Sequence, residues 1–183
     1  MDGLGGAGKT TLTQHIKQEL EEAGKKAVVL HIDDFIHPRN IRYDQAKCEW
    51  ECYYFAQWRY DYLIHNILLP IQNGEEIDKE IELYDKTNDQ YIETHLKIDA
   101  ESVLIIEGVF LQRNELRRFL DYVIYIDVPK VERLKRVLER DTYIGDKSKI
   151  AEKYEKRYFP AEDKYIMEYS PSKSADLIIN PNS

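Results

Sequence analysis

The chain has 183 residues, 43% of them hydrophobic, with 34 acidic against 26 basic side chains and a net charge of −8. That is sequence enough for one domain with a full core and too little for two of ordinary size. The acidic balance argues against a nucleic-acid or anionic-membrane surface, which needs a basic face, and no apolar run approaches the ~20 residues that span a bilayer. No charged-then-apolar leader opens the sequence, and Cys48 and Cys52 are its only cysteines. Two cysteines without a nearby His pair make neither a zinc site nor a disulfide framework, so a reduced, cytoplasmic protein is expected.

The opening stretch "MDGLGGAGKTTL" puts Gly3, Gly5, Gly6 and Gly8 directly ahead of Lys9 and Thr10. Leu12, Ile16 and Leu20 then recur at helical spacing, and Gly24 sits where a helix C-terminus favours it. "AVVLHID" (27–33) is an apolar run ending in acids, as in a buried parallel strand. Residues 44–69 carry a helical, aromatic-rich pattern that should stop before Pro70. Residues 78–98 alternate around "DKTNDQ" and predict a β-hairpin. "SVLIIEG" (102–108), "YVIYIDV" (122–128) and "ADLIIN" (175–180) predict three more strands, with helices over about 112–120, 130–141 and 147–168. Strands alternating with helices give one α/β domain with a mainly parallel sheet, the hairpin being an insertion.

Gly3-Leu4-Gly5-Gly6-Ala7-Gly8-Lys9-Thr10 fits G-x-x-x-x-G-K-[ST] without a mismatch. Glycines let the backbone wrap a phosphate and aim successive N–H groups at it, and the helix N-terminus that follows adds partial positive charge. Lys9 can reach the β- and γ-phosphates, and the Thr10 hydroxyl can ligate Mg²⁺. Asp33 and Asp34 end the second strand, on the side of an α/β sheet where ligands bind. A carboxylate there can take a proton from an attacking hydroxyl or help hold Mg²⁺, though a solvated turn would use the same residues. Glu107 ends another buried strand at that edge and is a second candidate metal or water ligand. Arg133, Arg136 and Arg140 are spaced i, i+3, i+7 on one helical face, suited to clamping phosphates; pairing with Glu132 and Glu139 on a solvated face is the plainer alternative.

"DGLGGAGKTT", "DDF" after a strand, "LYD" in a hairpin, "IIEGVF" and an arginine-bearing helix occur in that order. In these motifs the sequence resembles, over nearly its whole length, the uridine kinase and phosphoribulokinase-like group of P-loop kinases. The resemblance implies a P-loop NTPase-type three-layer α/β sandwich with a hairpin insertion at about 78–98 and a helical lid at about 133–158. It implies ATP and Mg²⁺ as cofactors, with Gly5, Gly6, Ala7, Gly8, Lys9, Thr10 and Thr11 holding the nucleotide and Arg133 assisting. Asp33 maps to the catalytic base, Lys9, Arg136 and Arg140 to the groups that offset charge on the transferring phosphate, and Thr10, Glu107 and Asp33 to the metal. Tyr84 maps to the tyrosine that packs on a nucleoside base.

The acceptor side departs from that family. Ile36 stands where a tyrosine follows the phenylalanine, Phe55 where an acid meets the ribose hydroxyls, and Asp89 where the hairpin carries a histidine. Arg157 replaces a lid glutamine ahead of Tyr158. Tyr84, Asp34 and Arg157 are therefore the acceptor-side candidates, with the arginine suited to an anionic group. The aromatics of "EWECYYFAQWRYDYL" (49–63) either line the acceptor pocket or fill the core. The expected activity is transfer of a γ-phosphoryl group to a small hydroxyl compound, a nucleoside such as uridine or cytidine first and another ribose- or pantothenate-like alcohol next. A nucleotide-binding protein without transfer activity and a partner-coupled ATPase are the rival readings, and homo-oligomerisation stays open. Only Met1 and Asp2 precede the glycine loop. The central strand that normally leads into such a loop is therefore expected to be cut short, the natural chain starting upstream.

Overall fold

The computed structural model describes residues 1–181. Strand β1 is Asp2–Gly3, and the glycine loop leads from it into helix α1, Lys9–Glu22. Strand β2, Ala27–His31, runs parallel to β5, Val103–Glu107, with Ala27 opposite Val103 and His31 opposite Glu107. β1 runs parallel to β6, Ile124–Ile126, which in turn pairs with β7, Leu177–Ile179. A bridge between Asp2 and Gly108 joins the two halves, giving the order β2-β5-β1-β6-β7, all parallel. Val28 and Leu30 with Leu104 and Ile106 enter the main core, while α1 packs on β2 and β5; alternate strand residues thus serve opposite faces.

β1 reaches only the C-terminal ends of its neighbours, because its two residues pair with Tyr125 and Ile126 on one side and Gly108 on the other. Ahead of it, a groove of about 650 Å³ runs between β5 and β6, lined by Val103–Ile106 and Tyr122–Ile124 and by Ile16, Leu20, Leu68 and Ile71 from the helices on either side.

The second strand is shorter than its apolar run. It stops at His31, and Ile32–Asp34 form a 3₁₀ turn. Ile32 and Phe35, 1% and 0% exposed, both point into the core. Two anchors three residues apart demand a turn rather than an alternating strand, and Asp33 and Asp34 sit on its outer side.

The single helix predicted over 44–69 is several pieces. After α2, Arg39–Arg42, come α3, Glu49–Phe55, and α4, Tyr60–Leu63, separated by a stretch in which Trp58 bridges to Ile36. α4 continues through a π turn, Ile64–Leu68, into α5, Leu69–Gln72. The helix therefore passes Pro70 instead of stopping before it. A second π turn, Tyr154–Tyr158, likewise lies just ahead of Pro160. The wider turn makes room for the proline ring, which in a regular helix meets the carbonyl four residues back.

β3, Ile77–Asp85, and β4, Gln90–Ile98, form the antiparallel hairpin. Short α6, Asn114–Arg117, follows β5. α7, Lys130–Arg140, and α8, Lys147–Lys153, lead through the second π turn into α9, Phe159–Tyr169, and α10, Pro171–Ser174. Val137, Ile150, Tyr154 and Phe159 form a small core of their own that packs α7 and α8 as a unit.

Candidate functional site

The glycine loop closes on itself through a bond from Ala7 N–H to the Leu4 carbonyl at 3.1 Å. Gly6 has φ of 80°, and a Cβ there would lie 2.9 Å from both the Arg133 carbonyl oxygen and Val137 Cγ1. Gly8, at φ of 97°, caps α1. Only glycine adopts both positions without strain, so the residue type follows from the loop's curvature and from the helix packed behind it.

In front of the loop lies a cavity of about 190 Å³ that gathers Gly5, Gly6, Lys9, Thr10, Asp33 and Glu107. Thr10 Oγ1 donates to the Glu107 carboxylate, at 3.1 and 3.2 Å from its two oxygens. His31 Nδ1 lies 2.7 Å from Glu107 Oε1. Its bond to that carboxylate raises the His31 pKa above the ordinary value of 6.5, although burial opposes the shift. Burial alone would raise the Glu107 pKa. His31, Lys9 and Thr10 together outweigh it and hold the group below 4.5. Lys9 donates to the Leu4 carbonyl at 3.2 Å, and burial lowers its pKa. Asp33 is exposed to the cavity and bonds to no other side chain among the described residues.

Among the described residues no group of three or more His, Cys, Asp or Glu could hold a metal. One hydroxyl and one carboxylate side by side are what Mg²⁺ takes from a protein when phosphates and waters supply its remaining ligands, so Thr10 and Glu107 fit that ion.

Other expected residues lie elsewhere. Arg133 is 2% exposed, its Nε bonded to Val128 O at 3.1 Å and its Nη1 to Gly5 O at 3.0 Å and Glu162 at 2.8 Å. It braces the loop from behind and does not line the cavity. Arg136 donates to the Gly6 and Ala7 carbonyls at 3.4 and 3.2 Å, also behind the loop. Arg140 alone of the three reaches the cavity, paired with Asp141 at 2.6 Å. Ala7 is buried beneath the loop, Gly8 and Thr11 are exposed outside the cavity, and Asp34 stands beside it without lining it.

On the acceptor side, Tyr84 is 4% exposed and does not reach the cavity. Its hydroxyl accepts from Arg42 at 2.5 Å and donates to Asp89 at 2.6 Å, and the Arg42 guanidinium covers its ring 4.8 Å from the centroid. Arg157, placed with the acceptor by the sequence, is 1% exposed and bound to Gln57 and the Glu49 carbonyl. Phe55 is turned out to 60% exposure, while Tyr54, Trp58 and Tyr60 are core. Tyr53 is both core and cavity wall. Gln57 and Glu162 line the cavity and were not anticipated; Glu162 meets Gly5 across 157 residues of chain, a contact without a local signature.

The model of the phosphoribulokinase/uridine kinase family matches residues 1–182. The chain belongs to that family. A uridine kinase of Staphylococcus epidermidis is 30% identical over 97% of this chain and 84% of its own length, and one from Staphylococcus aureus aligns with the same identity and coverage. The solved structure of a possible uridine kinase from Bacillus stearothermophilus superposes with a TM-score of 0.79 at 32% identity, over 98% of this chain and 85% of that one. A putative fructose transport system kinase from Silicibacter shares the fold, with a TM-score of 0.74 at 20% identity over 97% and 86% of the two chains. The three-layer P-loop kinase architecture expected from the motifs is therefore the observed one. Kinase activity comes with family membership. No helix of the described residues is long and apolar enough to cross a membrane.

Proposed function

We propose that the protein is a cytoplasmic, ATP- and Mg²⁺-dependent kinase that phosphorylates a hydroxyl of a small, nucleoside-like acceptor. The observation that carries this is Asp33, an unpaired carboxylate in the same cavity as Lys9, Thr10 and Glu107. As the acceptor oxygen bonds to the γ-phosphorus and the bond to the β,γ-bridging oxygen breaks, Asp33 takes the hydroxyl proton. Lys9 and Arg140 offset the charge spreading over the phosphoryl oxygens. Mg²⁺, held by Thr10 and Glu107, would neutralise phosphate charge when bound. A volume near 190 Å³ holds the transferring group and the reacting end of the acceptor rather than a whole nucleotide.

A second reading keeps the chemistry and changes the acceptor. At 4% exposure, with its ring covered by Arg42 and its hydroxyl committed to Asp89, Tyr84 offers no free aromatic face to a base. That favours a sugar or another polyhydroxyl compound. The test is ADP release with Mg·ATP and a panel of uridine, cytidine, sugars and pantothenate. Acceptor-dependent ADP supports transfer and names the class. Acceptor-independent ADP means an ATPase, and none with any compound leaves a nucleotide-binding protein without transfer activity.

A further inference from the structure

We propose that Gln57 reads the acceptor, donating through its amide NH₂ to an oxygen next to the hydroxyl that is phosphorylated, with Arg157 as the positioning residue that aims it. The inference rests on the kinase reading above and adds the group that selects the substrate. Gln57 lies in the break between α3 and α4, tied to the segment that carries Asp33: His37 N–H donates to the Gln57 carbonyl at 2.9 Å, and Arg59 N–H to the Phe35 carbonyl at 2.8 Å. Its side chain is 7% exposed and lines the cavity with Asp33.

The amide has one orientation available. Arg157 Nη2 stands 2.8 Å from Gln57 Oε1. A guanidinium has donors and no acceptor, so it must face the amide oxygen and not the NH₂. Arg157 is itself immobile, bonded to the Glu49 carbonyl at 3.0 Å and packed on the rings of Tyr43 and Tyr53 at 4.3 and 5.2 Å. The Gln57 NH₂ has no partner among the described residues and is not among their buried orphaned atoms. It is a fixed, accessible donor in a cavity whose other acceptor-facing group, Asp33, only accepts when ionised.

A donor and a base in one small cavity select an acceptor with at least two oxygens close together. One gives its proton to Asp33, and the other offers a lone pair to Gln57. The ligand class is a polyhydroxyl compound, either the ribose of a nucleoside or a free sugar.

The Gln57 side-chain NH₂ resonances are assigned as the pair missing from Gln57→Glu, a change that keeps a partner for Arg157. Uridine, cytidine, D-ribose and D-fructose are then titrated into the Mg·ADP complex, and ADP release from Mg·ATP is measured in parallel. The expected result is a shift of that pair with at least one compound. Gln57→Glu should raise that compound's KM by about tenfold or more and leave the KM for ATP within about twofold. Arg157→Lys, which keeps the charge and loses the fixed fork, should raise acceptor KM more than it lowers kcat. A shift with uridine or cytidine but not D-ribose or D-fructose identifies the nucleoside as the source of the ribose, and the reverse a free sugar. Acceptor-dependent ADP with an unchanged acceptor KM in Gln57→Glu overturns the role of Gln57 and leaves the kinase. A shift without ADP release overturns transfer and leaves the subsite. Neither signal with any compound overturns both.

Discussion

Arg133 and Glu162, 2% and 1% exposed, pair at 2.8 Å and between them hold both main-chain polar groups of Gly5 in the glycine loop. Gly5 N–H donates to Glu162 Oε1 at 2.9 Å, and the Gly5 carbonyl accepts from Arg133 at 3.0 Å. The loop's curvature is thereby tied to α7 and α9. Removing one member of such a pair strands a buried charge, so Arg133→Ala should cost about 3–5 kcal/mol. Urea unfolding reads this directly. A loss below about 1 kcal/mol would mean that the pair carries no more than an exposed one.

Gly6→Ala combines a left-handed φ with contacts of 2.9 Å to a backbone oxygen and to Val137. The backbone strain alone is worth about 1–3 kcal/mol, and relief requires α7 to move away from the loop. The expected outcome is a lower unfolding midpoint and at least tenfold weaker ATP binding by calorimetry. Wild-type affinity in a fully folded variant would contradict the packing described.

Asp33→Asn should lower acceptor-dependent turnover by about 10²–10⁴ with ATP affinity nearly unchanged. The side chain has no structural partner among the described residues, so stability should stay level. Turnover near wild type removes Asp33 from the role of base.

The His31–Glu107 pair makes stability depend on pH. His31 has its pKa raised above 6.5, so what it contributes is fully present below that value and is lost as pH rises through the raised pKa. Glu107 has its pKa held below 4.5, so its contribution is present above that value and fails as pH falls through the lowered pKa. The pair is therefore strongest between 4.5 and 6.5. Thermal unfolding of wild type and His31→Gln from about pH 5 to about pH 9 should converge at the alkaline end. A constant difference over that range rejects the assignment.

Where chemistry is written in a local pattern, the sequence was legible. The loop from Gly3 to Thr10, the strand end at Glu107, the acids that follow the second strand, the hairpin and a mainly parallel sheet all follow from spacing and periodicity. Positions set by contacts between distant segments were not. The spacing of Arg133, Arg136 and Arg140 puts them on one helical face, yet only contacts with distant segments decide that the first two meet loop carbonyls, with Glu162 against Arg133, and that Arg140 reaches the cavity. Tyr84 and Arg157 matched motif positions, but each was claimed by a partner far along the chain, Arg42 for one and Gln57 for the other. The helix over 44–69 failed for two other reasons: Trp58 pairs with Ile36 and interrupts it, and a π turn carries it past Pro70, neither of which a periodicity of 3.6 reveals.

The split between β5 and β6 has a consequence for handling the protein. β1 pairs only with the far ends of these strands, so along Val103–Ile105 the main-chain groups on that side face an apolar slot instead of a neighbouring strand. Edges of that kind recruit extended chain from any source, including other molecules of the same protein. Extended apolar chain laid in the slot, whether as upstream sequence or as a separate peptide, should therefore pair with both flanking strands and raise the unfolding midpoint.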